Sequence, residues 1–180
     1  MPPVVLRCRL PSGRRTTGAR RTFTNAKEPQ LTLPVKLKVM SYITRGTRLL
    51  VFRQPDFPEA GIQVPGGSVR PNEPIDRAVM REAREETGLE RLHLETFLGD
   101  TRHDFSPRGR FEIHHRHYYH LTASDDVPET WHHHETDPSE GVYDSILFEL
   151  FWVPLPDGVP RLVSDMDEML PKLVNRMGIE

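Results

Sequence analysis

"GSVRPNEPIDRAVMREAREETGL", residues 67–89, places Glu82, Glu85 and Glu86 within five positions. The stretch reads as a helix from about Pro74 to Thr87. Glu73 or Asn72 can cap its start, Pro74 suits the first turn, and Gly88 suits the left-handed position after the last turn. Like charges three and four residues apart on a helix repel one another, so the cluster needs a reason. Projected at about 100° per residue, Ile75, Val79 and Ala83 form a narrow apolar stripe. Glu82 and Glu86 fall in or beside that stripe and Glu85 just off it, so the carboxylates continue the buried side of the helix. A solvated face, partly neutralised by Arg81 and Arg84, is the plainer alternative.

Buried carboxylates without partners are costly, and they neutralise or find a cation. Several oxygens converging from one helix face make a site for a hard divalent ion, Mg²⁺ or Mn²⁺. Arg81 is set to reach Glu85 one turn on, or to brace Glu73 from the preceding loop.

Outward from this helix the chain alternates strand and helix signals. "VKLKV" (35–39) alternates apolar and charged residues with period two, and "RLLVFR" (48–53) fits a strand paired with it. "VPGG" (64–67) ends a short strand in a turn. "LHLETFL" (92–98), "FEIHHRHYYHL" (111–121) and "ILFELFWVPL" (146–155) are further strands, while "PETWHHHETDPSEG" (128–141) reads as a loop. "SDMDEMLPKLVNRMG" (164–178) reads as a closing helix that Pro171 should kink or split. One mixed sheet with helices on its faces is the economical α/β architecture.

Composition bounds the class. The chain has 180 residues, 36% hydrophobic and 28% charged, with a formal net charge of −2, which reads as ordinary globular protein. No run approaches the roughly 18 apolar residues of a membrane span, so no membrane partner is expected. Cys8 is the only cysteine, which excludes an internal disulfide and points to a reducing, cytoplasmic compartment. Residues 1–30 carry seven basic groups against Glu28 alone, leaving 17 basic and 25 acidic groups for the other 150 residues. That segment, with Pro2, Pro3, Pro11, Gly13 and Gly18, reads as a disordered basic extension. An organelle transit segment or a nucleic-acid-binding arm has the same composition. The folded domain is expected over residues 31–180.

The spacing of the opening stretch is the sharpest signal. Gly67, five residues, Glu73, seven residues, then Arg81-Glu82-Ala83-x-Glu85-Glu86-x-Gly88-Leu89 resembles the Nudix (MutT-like) hydrolase signature at every specified position. "VPGG" and "FWVPL" also resemble this family, so the likeness spans about Val35 to Leu155. The resemblance implies an α/β/α sandwich that hydrolyses a nucleoside diphosphate linked to a further moiety. It implies Glu82, Glu85 and Glu86 as divalent-metal ligands, with the carbonyl near Gly66–Gly67 as a further one. Arg81 and Glu73 would be the bracing pair.

Such a pocket repels an anionic diphosphate unless cations bridge the charges, and those cations also activate the attacking water. Glu82 is the first choice of base. Many members of the family use a glutamate from a downstream loop instead. Glu112, Glu129, Glu135 and Glu140 are available here, with Glu135 and Glu140 favoured because they precede the last strand.

The partner is a small nucleotide or diphosphate, with an RNA 5′ end and a homodimer left open. Subgroups of the family carry an extra proline or tyrosine downstream of the box. The corresponding positions here hold Asp104, Phe105, Ser106 and Pro107, so neither mark is met and the substrate stays open. Phe57, Phe105, Tyr118, Tyr119 and Trp131 are aromatic candidates for base stacking, with packing the plainer role. The histidines His114, His115, His117, His120 and His132 to His134 are better read as polar strand and loop residues than as a zinc site. The alternative to an enzyme is a Nudix domain serving as a nucleotide sensor with little turnover.

Overall fold

The alternation that begins at Val35 sets up the sheet. The computed structural model describes residues 32–124, 126–135 and 145–179; the basic segment 1–30 and Glu140 lie outside them. Strands β1 (Val35–Arg45) and β2 (Arg48–Arg53) form a hairpin. They are followed by β3 (Gly66–Ser68), helix α1 (Ile75–Thr87), β4 (Leu92–Asp104) and β5 (Ile113–Ala123). Then come β6 (Thr130–Glu135), β7 (Ile146–Pro154) and helix α2 (Leu170–Met177). The order across the sheet is β4-β5-β1-β2-β7-β6, with β3 paired to β1. The β1–β5 pair is parallel and the other pairs antiparallel, so the sheet is mixed.

Successive strand residues face opposite sides, and two cores result. Val39, Ile43, Leu50 and Phe52 pack with Val79 and Ala83 of α1. Met40, Tyr42, Leu49 and Val51 pack on the other side with Met169 and Leu173. This is the α/β/α sandwich that the resemblance implies. Among the described residues no helix is long and apolar enough to cross a membrane.

Two stretches depart from the sequence reading. Residues 130–135, expected as loop, form edge strand β6, which pairs with β7 through Trp131↔Leu150 and His133↔Phe148. Backbone pairing to an established strand supplies what hydrophobic alternation does not. The closing helix is shorter than expected, starting at Leu170 with Pro171 in its first turn. A proline there loses no hydrogen bond, so nothing is kinked. The approach to α2 is pinned by Tyr42, whose hydroxyl donates to the Met166 carbonyl at 2.6 Å and accepts from the Met169 N–H at 3.2 Å.

Candidate active site

Helix α1 lies against the sheet with Ala78, Val79, Glu82, Ala83, Glu86 and Thr87 buried. The carboxylates of Glu82 and Glu86 are therefore carried inward by the same face that holds the helix in place. Gly88 ends the helix in the left-handed conformation and returns its N–H to the Arg84 carbonyl. At the start, neither Glu73 nor Asn72 caps it: Pro74 occupies the cap position with no side-chain hydrogen bond.

Glu73 is engaged elsewhere. Arg81 grips it as a fork, Nε to Oε1 and Nη2 to Oε2, each at 2.8 Å. The Arg70 N–H donates to Glu73 Oε2 as well. These bonds, Arg81's above all, hold the Glu73 carboxyl down at about 2. The other edge of the same guanidinium reaches Glu82 Oε1 at 2.9 Å and Glu85 Oε2 at 2.6 Å, and Nη2 also donates to the Ser68 carbonyl. Arg81 thus contacts Glu73 and Glu85 at once. Glu85, half-buried, also meets Arg70 at 3.3 Å.

Glu82 is 3% exposed and Glu86 8%. Burial pushes the Glu82 carboxyl up, against the pull of Arg81. Glu86 is raised well above the usual range, first by burial and then by Glu135, while the Gly66 N–H, donating to Glu86 Oε2 at 2.7 Å, opposes the rise. Gly67 completes the cradle, since a Cβ there would overlap the Glu82 carboxylate. Glu135, at the end of β6, is buried and lines with Glu86, Gly66, Gly67, Lys38 and Gln63 one cavity of about 240 Å³.

Of the other downstream candidates, Glu112 is tied to Lys36 and His114, and Glu129 to Arg45 and Arg48. Glu140 lies outside the described residues.

No three acidic, histidine or cysteine side chains close on one point at ligating distance among the described residues; Arg81 draws Glu82 and Glu85 toward itself. The donor set nonetheless fits a hard divalent cation. It is all oxygen, and its buried carboxylates raise one another's protonation, which a cation would relieve.

Sequence reasoning missed how β6 holds α1. The last carbonyls of a helix lack partners within it. The Trp131 indole N–H donates to the Thr87 carbonyl at 2.9 Å, and His133 Nε2 meets the Glu85 carbonyl at 2.9 Å. With Glu135 these alternate residues form the α1-facing side of β6, and "TWHHHE", with Trp131 its one apolar residue, carries no alternation that would reveal it. The cluster of histidines thus divides by face. His114 and His120 are buried on one side of β5, while His115 and His117 lie on the other, their rings 4.3 Å apart. Phe105 and Tyr118 are buried packing residues.

Known proteins resemble this chain in family and fold. A family model described as NUDIX domain matches residues 35–173. Among solved structures, a MutT NUDIX hydrolase from Burkholderia pseudomallei is 28% identical with a TM-score of 0.57, covering 77% of this chain and 98% of that one. A UDP-X diphosphatase shares the fold at 15% identity and a TM-score of 0.57, over 84% of this chain and 68% of that one. A MutT protein from Methanosarcina mazei Go1 does so at 19% and 0.51, over 82% and 96%. No curated protein matches the chain.

Proposed function

From the premise that this chain belongs to the Nudix family and is a Nudix hydrolase, we propose that it hydrolyses a diphosphate linkage in a nucleotide or nucleoside-diphosphate derivative using Mg²⁺ or Mn²⁺. Nudix hydrolases act on nucleoside diphosphate derivatives in general and generally use divalent metals. The observation that carries the reading is the burial of Glu82, Glu86 and Glu135 around Gly66–Gly67, with Arg81 fixing the helix that bears two of them.

In this reading Glu82, Glu85 and Glu86 hold the cations, joined by a carbonyl near Gly66–Gly67. When bound, such ions offset the charge of the diphosphate, polarise its phosphoryl oxygens and lower the pKa of the attacking water. Arg81 keeps the carboxylates in register: its planar fork is anchored on Glu73, so the edge facing Glu82 and Glu85 cannot swing. Glu135 approaches the same cavity from another element and takes the proton of the attacking water. It replaces Glu82 as first choice because the Glu82 Oε1 is already engaged by Arg81.

A turnover screen tests the reading. Nucleoside di- and triphosphates, nucleotide sugars, ADP-ribose, dinucleoside polyphosphates and capped RNA would be offered with Mg²⁺, with Mn²⁺ and with EDTA. Product from at least one substrate, abolished by EDTA, is expected. Metal-dependent binding with no product from any of them would overturn hydrolysis in favour of a nucleotide sensor.

A further inference from the structure

A second cavity, about 520 Å³, adjoins the carboxylate site and shares Lys38, Gln63, Gly66 and Gly67 with it. Its far side is made by Arg116, His114 and Phe105 of the β4–β5 side, and by the Val163–Ser164 segment that leads to α2. Arg116 stands in register opposite Lys38 across the parallel β1–β5 pair, which brings two cations to one face of the sheet.

Arg116 is 2% exposed. Its Nη1 donates to the Ser164 carbonyl, and its guanidinium carbon lies 5.4 Å over the Phe105 ring. Its Nε is buried and has no hydrogen-bond partner, and no carboxylate pairs with it among the described residues. A buried guanidinium without a counter-ion is costly. Among the described residues the cavity's lining carries Lys38, Arg110 and Arg116, and one carboxylate, Glu59. Among the described residues the lining offers no open aromatic face for a base. Phe105 is 6% exposed, with His114 stacked on it at 4.0 Å and the guanidinium of Arg108 5.0 Å away.

We propose that this cavity receives a phosphate beyond the linkage that is cut, held by Arg116 and Lys38, so that preferred substrates continue past the diphosphate as a phosphate rather than as a neutral sugar. The guanidinium supplies directed donors, and Lys38, common to both cavities, supplies a compact charge between the cut linkage and the far phosphate. The inference rests on the hydrolase reading above and adds the chemistry of the leaving portion.

GTP and GDP-mannose share the nucleoside and the cut linkage and differ in what lies beyond it. The wild-type kcat/KM is expected to favour GTP at least tenfold. In Arg116→Gln that ratio should fall at least tenfold, mainly through KM for GTP, and Lys38→Met should move it the same way. A binding measurement stands beside the kinetics: inorganic tripolyphosphate with EDTA present should raise the melting temperature of wild type, less that of Lys38→Met, and least that of Arg116→Gln. If Arg116→Gln does not fold, Lys38→Met carries both comparisons. A wild-type preference for GDP-mannose, an unchanged ratio in folded variants, or no tripolyphosphate shift in wild type would overturn the proposal. Hydrolysis of GDP-mannose would then still uphold the hydrolase. A tripolyphosphate shift with no product from any nucleotide would instead uphold the anion pocket and sink the hydrolase.

Discussion

Arg81 and Glu73 meet fork to fork, Nε and Nη2 of one donating to the two carboxylate oxygens of the other at 2.8 Å each. The pair joins the loop before α1 to the middle of the helix, and the remaining Nη1 holds Glu82 and Glu85. An ammonium group cannot make this set of parallel bonds. Arg81→Lys should therefore lower turnover at least tenfold, with metal affinity changed less. Wild-type turnover in the lysine variant would reduce Arg81 to a surface charge.

Gly67 makes a separate demand. A Cβ there would run into the Glu82 carboxylate, which is the end of a flexible side chain and can swing away. Gly67→Ala should thus leave the melting temperature nearly unchanged while turnover falls tenfold or more. A loss of stability with normal activity per folded molecule would show that the close approach serves packing alone.

The hold of β6 on α1 can be weakened one bond at a time. Trp131→Phe keeps the ring and removes the N–H that reaches the Thr87 carbonyl. The urea midpoint should fall by the equivalent of about 0.5–1.5 kcal/mol, and turnover should drop a few-fold because Glu85 and Glu86 sit on the turn released. Unchanged stability would mean that water replaces the bond without loss.

Three histidines of β5 set a pH dependence. Burial lowers the pKa of His114, His117 and His120 below the ordinary 6.5. His120 faces the Thr44 hydroxyl, with Glu95 pulling its pKa up and Arg176 pushing it down. The unfolded chain then binds protons that the folded one refuses. The stability these groups contribute is present above about pH 6.5 and is lost as pH falls through their lower folded values. The raised Glu82 and Glu86 act with the opposite sign over the same range, so the readout is a difference: relative to wild type, His120→Gln should gain urea midpoint as pH falls from about 7.5 to about 5. A difference between the two proteins that stays constant through that window would show that His120 is hydrated in the folded protein.

The sequence carries most of α1 and its neighbourhood because those signals are local. The apolar stripe, Gly88 after the last turn, and the spacing of Glu73 and Arg81 all lie within one short stretch. Long-range partners are harder to read. Glu135 shares a cavity with Glu86 only because β6 pairs with β7, and Trp131 and His133 lie among polar residues without the alternation that marks a strand. Arg116 and Lys38 meet through the register of a parallel pair whose strands are far apart in sequence. Pro171 misleads for a simpler reason: its effect depends on where the helix starts, and the residues just before that start are held by Tyr42 rather than by a local signal.

The claim that the glutamates of α1 serve a cation is tested most directly at Glu86. Glu86→Gln keeps the shape and the Gly66 contact but removes one charge from beside Glu135 and Glu82. Thermal melts of both proteins would be recorded with EDTA and with excess Mg²⁺, together with one rate measurement. In EDTA the variant should be as stable as wild type or more so. Its Mg²⁺-dependent rise in melting temperature should shrink, and turnover should fall by about 10² or more. Equal Mg²⁺ shifts in the two proteins, with turnover intact, would contradict the cation site.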